Sequence, residues 1–191
     1  MPRQSAGVLL YRRRGPALEV LLVHPGGPYW AGKDLGAWTI PKGELAEHED
    51  PLAGARRELA EETGLAPDGP FLALTPIRQR AGKLVHAWAC PGDCDPTQLR
   101  SNTFEMEWPP RSGKRASFPE VDRAQFFALF PARAHFSPAH VALLDERLVR
   151  GLLDLLGLLL AGRRQGQDHD RDRDRGEPRA RHRLHHDVRL L

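Results

Sequence analysis

Glu58, Glu61 and Glu62 stand three and four residues apart in a segment that opens on Asp50-Pro51 and stops at Thr63-Gly64. An acidic residue before Pro is a helix start, since Asp caps the first free amides and Pro fits the first helical position. Glycine supplies the stop. The segment therefore predicts a helix from Pro51 to Thr63, with Leu52, Ala55 and Leu59 as its apolar stripe. At 100° per residue, Glu61 and Glu62 fall roughly 60° and 40° to either side of Glu58. Three carboxylates then crowd one helical face. Arg57 reaches Glu61 one turn on, but one guanidinium cannot neutralise all three. Such carboxylates repel, and one is pushed towards its protonated form unless a cation intervenes. Hard divalent cations such as Mg²⁺ take oxygen ligands of this kind and share them with substrate phosphates. Gly43, upstream, lets the backbone come close and offer its carbonyl. Taken alone, Glu-x-x-Glu-Glu is equally the pattern of a solvated helix face.

The flanking sequence reads as strands. Ser5–Arg12 and Leu18–His24 are apolar runs joined by Arg-Arg-Arg-Gly-Pro, a hairpin turn by composition. His24–Gly36 is a Gly- and Pro-rich loop with Tyr29 and Trp30, and Trp38-Thr39-Ile40 is a brief strand stopped by Pro41. Phe71–Arg80 and Lys83–Ala89 form a strand pair, Thr103–Trp108 is a further strand, Pro109–Ser117 a basic loop and Val121–Phe127 a mixed segment. From Pro138 to about Arg164, leucines recur at helical spacing. Composition then changes. Residues 165–191 hold seven Arg against five Asp and one Glu, four of the nine histidines, and only five hydrophobic residues. Such a segment buries too little surface to offset its ordering entropy and is expected to be disordered. The expected organisation is one domain over residues 1–160 and a charged His/Arg/Asp-rich tail over 161–191.

With 191 residues, 40% hydrophobic and 28% charged, the chain is long enough for a core without staples. Its two cysteines, Cys90 and Cys94, exclude a disulfide framework, and they lack partners at zinc-finger spacing. No apolar leader opens the sequence. The most apolar run, Leu148 to Ala161, is broken by Arg150 and Asp154 and is shorter than the ~20 residues that span a bilayer. A cytoplasmic protein without a membrane partner is the expectation. A net charge of +3 points to no committed nucleic-acid binder, and the basic loop and tail leave an RNA contact only weakly supported.

Read as a whole, Gly43, Glu49, Arg57-Glu58-Leu59, Glu61-Glu62 and Gly64-Leu65 resemble the Nudix box at all nine of its specified positions across 23 residues. Trp38-Thr39-Ile40-Pro41-Lys42 also resembles the strand and turn that enter the Nudix helix. The resemblance covers residues 4–160. It implies an α/β fold, a Nudix-type α/β/α sandwich with a mixed β-sheet. It implies a hydrolase that uses Mg²⁺ or Mn²⁺ and water to cleave a phosphoanhydride in a nucleoside diphosphate linked to another moiety. Carried over by position, Glu58 and Glu62 are the leading metal ligands, followed by Glu61 and the Gly43 carbonyl. Glu58 or Glu61 positions or deprotonates the attacking water. Glu49 and Arg57 form an orienting ion pair, and Lys42 meets phosphate oxygens. Many such enzymes add an acid from a later loop. Glu120, ahead of Phe126, is the candidate, with Glu105 and Glu107 as rivals. The entry segment looks like that of diadenosine-polyphosphate hydrolases and of enzymes acting on oxidised guanine nucleotides. A dinucleoside polyphosphate or a nucleoside triphosphate, oxidised or not, is therefore the expected substrate, and removal of a 5′ group from RNA stays open. Trp30, Trp38, Tyr29, Trp88, Phe104 and Trp108 are candidates to stack on a base. Arg78, Lys114 and Arg115, with Arg80, Lys83 and Arg111, are candidates for distal phosphates. A Nudix-fold binding or regulatory module without turnover is the alternative. Oligomeric state is not legible.

Overall fold

The computed structural model describes residues 3–144 and 151. The elements in chain order are β1 (Gln4–Arg14), β2 (Ala17–Pro25), β3 (Lys42–Glu44), α1 (Pro51–Thr63), β4 (Leu72–Ala73), β5 (Ile77–Arg78) and β6 (Leu84–Pro91). They are followed by β7 (Thr103–Glu107), β8 (Arg115–Pro119), β9 (Val121–Ala128) and α2 (Leu129–His135). The main sheet runs β4-β6-β1-β2-β9, with β5 also on β6 and β3 on β1. β1 and β6 are parallel, from Gln4 opposite Leu84 to Tyr11 opposite Pro91. The other pairings in the sheet are antiparallel, so it is mixed, as expected. β7 and β8 form a separate two-stranded arm.

Period-two alternation assigns the two faces of this sheet. Ala6, Val8 and Leu10 of β1 share a core with Leu21, Cys90 and Phe126, and Ala55 and Leu59 of α1 fill it. The opposite face carries Trp38, whose ring centroid lies 5.0 Å from that of Phe127, and Phe127 stacks at 4.5 Å on His135 of α2. The sheet is thus sandwiched between the helices. Both ends of α1 follow the sequence. The Asp50 carboxylate accepts from the Ala53 amide at 2.9 Å, and Gly64, at φ 74°, donates its amide to the Ala60 carbonyl. Asp50→Ala is expected to cost about 1 kcal/mol, read as a shift in denaturant midpoint at unchanged slope.

The segment before β3 forms a wedge that positions the site. Thr39 exchanges both backbone hydrogen bonds with Val23 of β2, while the Pro41 carbonyl accepts from Val8 of β1 and Lys42 pairs with Gly7. β1 gives its far half to β2 and its first residues to β3. Trp38 and Thr39 therefore make isolated bridges instead of the expected strand over residues 38–40, and the strand itself falls on Lys42–Glu44. The wedge satisfies two diverging strands at once, a tertiary demand that local composition does not carry. Three other expectations change. The end of the expected basic loop is strand, because Arg115–Pro119 pairs with β7. Val121–Ala128 is a strand at the edge of the sheet path beside β2, and α2 follows it directly. Val141–Leu144, inside the expected late helix, is a 3-10 turn. The rest of that helix apart from residue 151, the domain boundary at 160/161 and the tail lie outside the described residues.

Candidate active site

Gly43 faces the buried side chain of Glu58, and a Cβ at position 43 would overlap its carboxylate. Glycine is what allows strand β3 to pass this close to α1. One residue earlier, the Lys42 amide donates to Glu62 Oε2 at 3.0 Å. Two successive backbone positions of the wedge are therefore matched to two carboxylates of the helix.

Arg57 ties the other carboxylates together. Its Nε and Nη2 donate to both oxygens of Glu49 at 2.9 and 3.0 Å, a bidentate pair. Its Nη1 donates to Glu58 Oε1 at 2.7 Å and to Glu61 Oε2 at 3.0 Å. Nη2 also reaches the Glu44 carbonyl. One guanidinium thus fixes the loop before the helix, the strand and two helix acids, with its charged form reinforced chiefly by Glu49. Glu49 also accepts from the Ala46 amide.

Glu120 follows β8 and enters the same field, where its charge raises the carboxyl pKa of both Glu58 and Glu62. Its placement is backbone work. The Gly26 amide donates to the Glu120 carbonyl, the Glu120 amide to the Asn102 carbonyl, and the Asn102 amide to the Glu61 carbonyl at the end of α1. A Cβ on Gly26 would collide with the Pro119 carbonyl, so this loop too depends on a glycine.

The electrostatics record the crowding. Burial pushes the Glu62 carboxyl up to about 8 against the pull of Lys42, with Glu58 and Glu120 adding to the rise. Burial also raises Glu58, and Arg57 opposes it. Loss of water lowers Lys42, partly countered by Glu62. Glu49 moves the other way, to about 2, because Arg57 and the Ala46 amide stabilise its charge. With a folded value below its ordinary 4.5, Glu49 stabilises the fold fully above pH 4.5, and that contribution is lost as pH falls through about 2. Glu49→Gln is expected to be less stable than the unaltered protein at pH 6, with the gap closing on acidification. Denaturant unfolding of both proteins at stepped pH checks this.

Among the described residues, no three His, Cys, Asp or Glu side chains already converge on one point as ligands. Glu58 and Glu61 are instead turned onto Arg57. The donor set nevertheless fits a hard divalent cation. It is all oxygen, it holds more carboxylates than cations, and burial disfavours the charged form of Glu62 in a way that further positive charge would relieve. Cys90 is buried and Cys94 partly so, both as free thiols.

The expected substrate contacts divide. Trp30 is 37% exposed and lines a cavity beside Lys42. Trp38 is corrected: it is 3% exposed, donates from Nε1 to Asp34, and packs between His24 and Phe127, so its ring is core. Arg78 is exposed on β5, where it contacts the Gly82 carbonyl. Lys114 and Arg115 stand at the far end of the β7–β8 arm, four residue pairs, or about 13 Å of strand, from its base at Thr103 and Pro119. Arg115 pairs there with Glu105, and Glu107 accepts from the Gly113 amide. Both rival acids therefore serve the arm, not the cluster. Tyr29 meets Trp108 edge-on, Phe104 packs near Phe118, and Trp88 stacks on His86. Sequence reading missed Ser5, Gln79 and His140, which share the cavity with Trp30. They belong to no motif, so nothing local in the sequence marked them.

The NUDIX domain family model matches residues 1–134. An RNA pyrophosphohydrolase of Caulobacter vibrioides is 44% identical over 55 residues, 26% of this chain and 32% of that protein. The match thus spans about a third of the length of that curated relative. Among solved structures, the C. elegans Ap4A hydrolase binary complex superposes with a TM-score of 0.55 at 20% identity, covering 80% of this chain and 98% of that one. The NUDIX domain of Shewanella oneidensis NrtR, complexed with ADP ribose, gives 0.55 at 17% identity over 80% and 89%. These structures share the mixed α/β fold. Box, fold and family model agree, and the chain belongs to the NUDIX domain family.

Proposed function

We propose that the chain is a divalent-metal-dependent hydrolase that cleaves a phosphoanhydride bond in a nucleoside diphosphate linked to a further group. The observation that carries this reading is the close fit of the wedge at Lys42–Gly43 to Glu58 and Glu62, with Glu61 on the same helix and the charge of Glu120 felt by both acids. Glu58, Glu62, Glu120 and the Gly43 carbonyl would hold Mg²⁺ or Mn²⁺, with Glu61 adjacent. The bound ion supplies charge neutralisation of phosphate oxygens and a lowered pKa for water. The chain's own residues do the rest. Glu61, 39% exposed and oriented by Arg57, takes the proton of the attacking water, and Glu58 shares its positioning. Lys42, partly buried and beside Glu62, orients a phosphate oxygen. Arg57 and Glu49 keep the acids in register without touching the reacting atoms.

Several substrates present this bond: dinucleoside polyphosphates, nucleoside triphosphates with ordinary or oxidised bases, and 5′-triphosphorylated RNA. The similarity to an RNA pyrophosphohydrolase favours the RNA end of this range, and the Ap4A hydrolase shares the fold. The test is a hydrolysis panel of diadenosine tetraphosphate, 8-oxo-dGTP, ADP-ribose, ordinary triphosphates and triphosphorylated RNA, with products identified by mass. A Mg²⁺- or Mn²⁺-dependent product from at least one is expected. Folded, metal-binding protein that hydrolyses none would favour the binding-module alternative.

A further inference from the structure

Beside the end of β2, the strand β9 carries one residue too many. Pro25 pairs with Val121 and His24 with Arg123, so Asp122 has no partner across the ladder. A bulge of this kind bends its strand and re-aims a side chain. It stands two residues after Glu120, whose carbonyl accepts from the Gly26 amide at 2.9 Å.

The side chain of the extra residue is caught by His24. This ring is fully buried, with Nδ1 2.7 Å from Asp122 Oδ1 and Nε2 3.0 Å from the Lys33 carbonyl. A carbonyl only accepts, so Nε2 carries a hydrogen and donates it to Lys33, while Nδ1 faces the carboxylate. Arg123 Nη2 donates to the same carbonyl at 3.2 Å, and Arg123 Nε stands 3.6 Å from Asp122 Oδ1. The His24 ring meets Trp38 edge-on with centroids 5.3 Å apart, and the Arg123 guanidinium lies over the Trp38 ring. Three segments therefore close into one knot: the end of β2, the loop at Lys33 and the start of β9. A buried imidazole engaged at both nitrogens cannot turn without leaving a polar group unpaired. His24, Asp122 and Arg123 lie outside the Nudix box, and the hydrolytic chemistry uses none of them.

We infer that His24 and Asp122 are a positioning pair for the metal centre: by pinning the extra residue of the bulge, they hold Glu120 within reach of the ion bound by Glu58 and Glu62. Neither residue touches the ion or the substrate, and the assignment rests on the metal-dependent reading of Glu120. The hydrogen bonds to Gly26 and Asn102 fix the Glu120 backbone at one point. The His24–Asp122 pair fixes the direction in which the chain leaves it. Both anchors are needed, because a displacement of about 1 Å is enough to spoil a site of this kind. The charge of Glu120 reaches both helix acids in this arrangement.

Calorimetric titration of the full chain with Mn²⁺, without nucleotide, tests this through a double-mutant cycle, with hydrolysis measured in parallel. Asp122 carries the test because its side chain is 31% exposed, so folding depends less on it than on the buried ring. Asp122→Ala is expected to weaken Mn²⁺ binding about tenfold, the loss typical of a group behind a metal ligand. Glu120→Gln is expected to weaken it at least as much. The double variant is expected to bind no worse than Glu120→Gln alone, because Asp122 acts only through Glu120. Asp122→Asn keeps an acceptor for Nδ1 and is expected to stay within about threefold of the unaltered protein. Unchanged Mn²⁺ binding in Asp122→Ala, losses that add in the double variant, or an Asp122→Asn loss equal to that of Asp122→Ala overturns the positioning role. Coupled Mn²⁺ binding without hydrolysis of any nucleotide overturns the reaction and leaves the pair standing. No Mn²⁺ binding by the unaltered protein overturns both.

Discussion

Glu62→Gln is expected to reduce kcat by about 10²–10⁴-fold on whichever substrate turns over best. The fold should survive intact. Glutamine has the same shape and still offers an oxygen to the Lys42 amide, which now bonds Glu62 Oε2 at 3.0 Å. What is lost is a charge that burial disfavours and that a bound cation would stabilise beyond what Lys42 supplies. The stability of the metal-free protein reports the same fact independently. Glu62 has a folded value of about 8 against an ordinary 4.5. A raised value means that the folded state holds a proton which the unfolded chain releases between these limits. The stability from this group is therefore fully present below pH 4.5 and is lost as pH rises through 8. Glutamine does not titrate. In chelator, the melting temperature of Glu62→Gln should accordingly gain on the unaltered protein as pH rises from 5 to 9. Added Mg²⁺ should narrow the difference. A variant that kept full turnover would remove Glu62 from the metal site.

Gly43→Ala is expected to lower kcat/KM about a hundredfold with little change in stability. The added methyl takes the space of the Glu58 carboxylate. Gly43 is not at positive φ, so alanine meets no backbone strain there. The conflict is with the far end of one flexible side chain, the Glu58 carboxylate, which yields by giving up its 2.7 Å bond from Arg57. The carboxylate must leave its place, and displacing a catalytic group by about 1 Å is enough for a loss of this size. Circular dichroism and a melting curve close to those of the unaltered protein, together with the kinetic loss, would assign the glycine to the site and not to the fold. A comparable loss of folded protein would assign it to the fold.

Sequence reading reached furthest where the interactions are local. Helix α1, its Asp50 cap, its Gly64 stop and its acidic face are all properties of consecutive residues, and the structure has them at the expected positions. The Glu49–Arg57 ion pair, implied by the resemblance to the Nudix box, is present as a bidentate contact. The wedge at Trp38–Glu44 did not, because its conformation is set by β1 and β2, which diverge and each take part of it. Trp38 shows the same limit. An aromatic beside an expected active-site turn reads equally as a stacking platform or as core, and only the packing of Phe127 and His24 decides for core. Lys114 and Arg115 form a basic run in sequence, yet strand pairing carries them to the far end of an arm and gives Arg115 to Glu105. Gln79, His140 and Thr39 come from segments up to 101 residues apart, so their hydrogen-bonded chain had no local signature.

The most direct measurement is the initial rate of phosphoanhydride cleavage across the substrate panel in chelator, and then with Mg²⁺ or Mn²⁺ restored. The account predicts no turnover in chelator and turnover of at least one nucleotide on restoring the ion, abolished by Glu62→Gln. Equal rates with and without chelator, or folded protein that binds the ion and cleaves nothing, would contradict it.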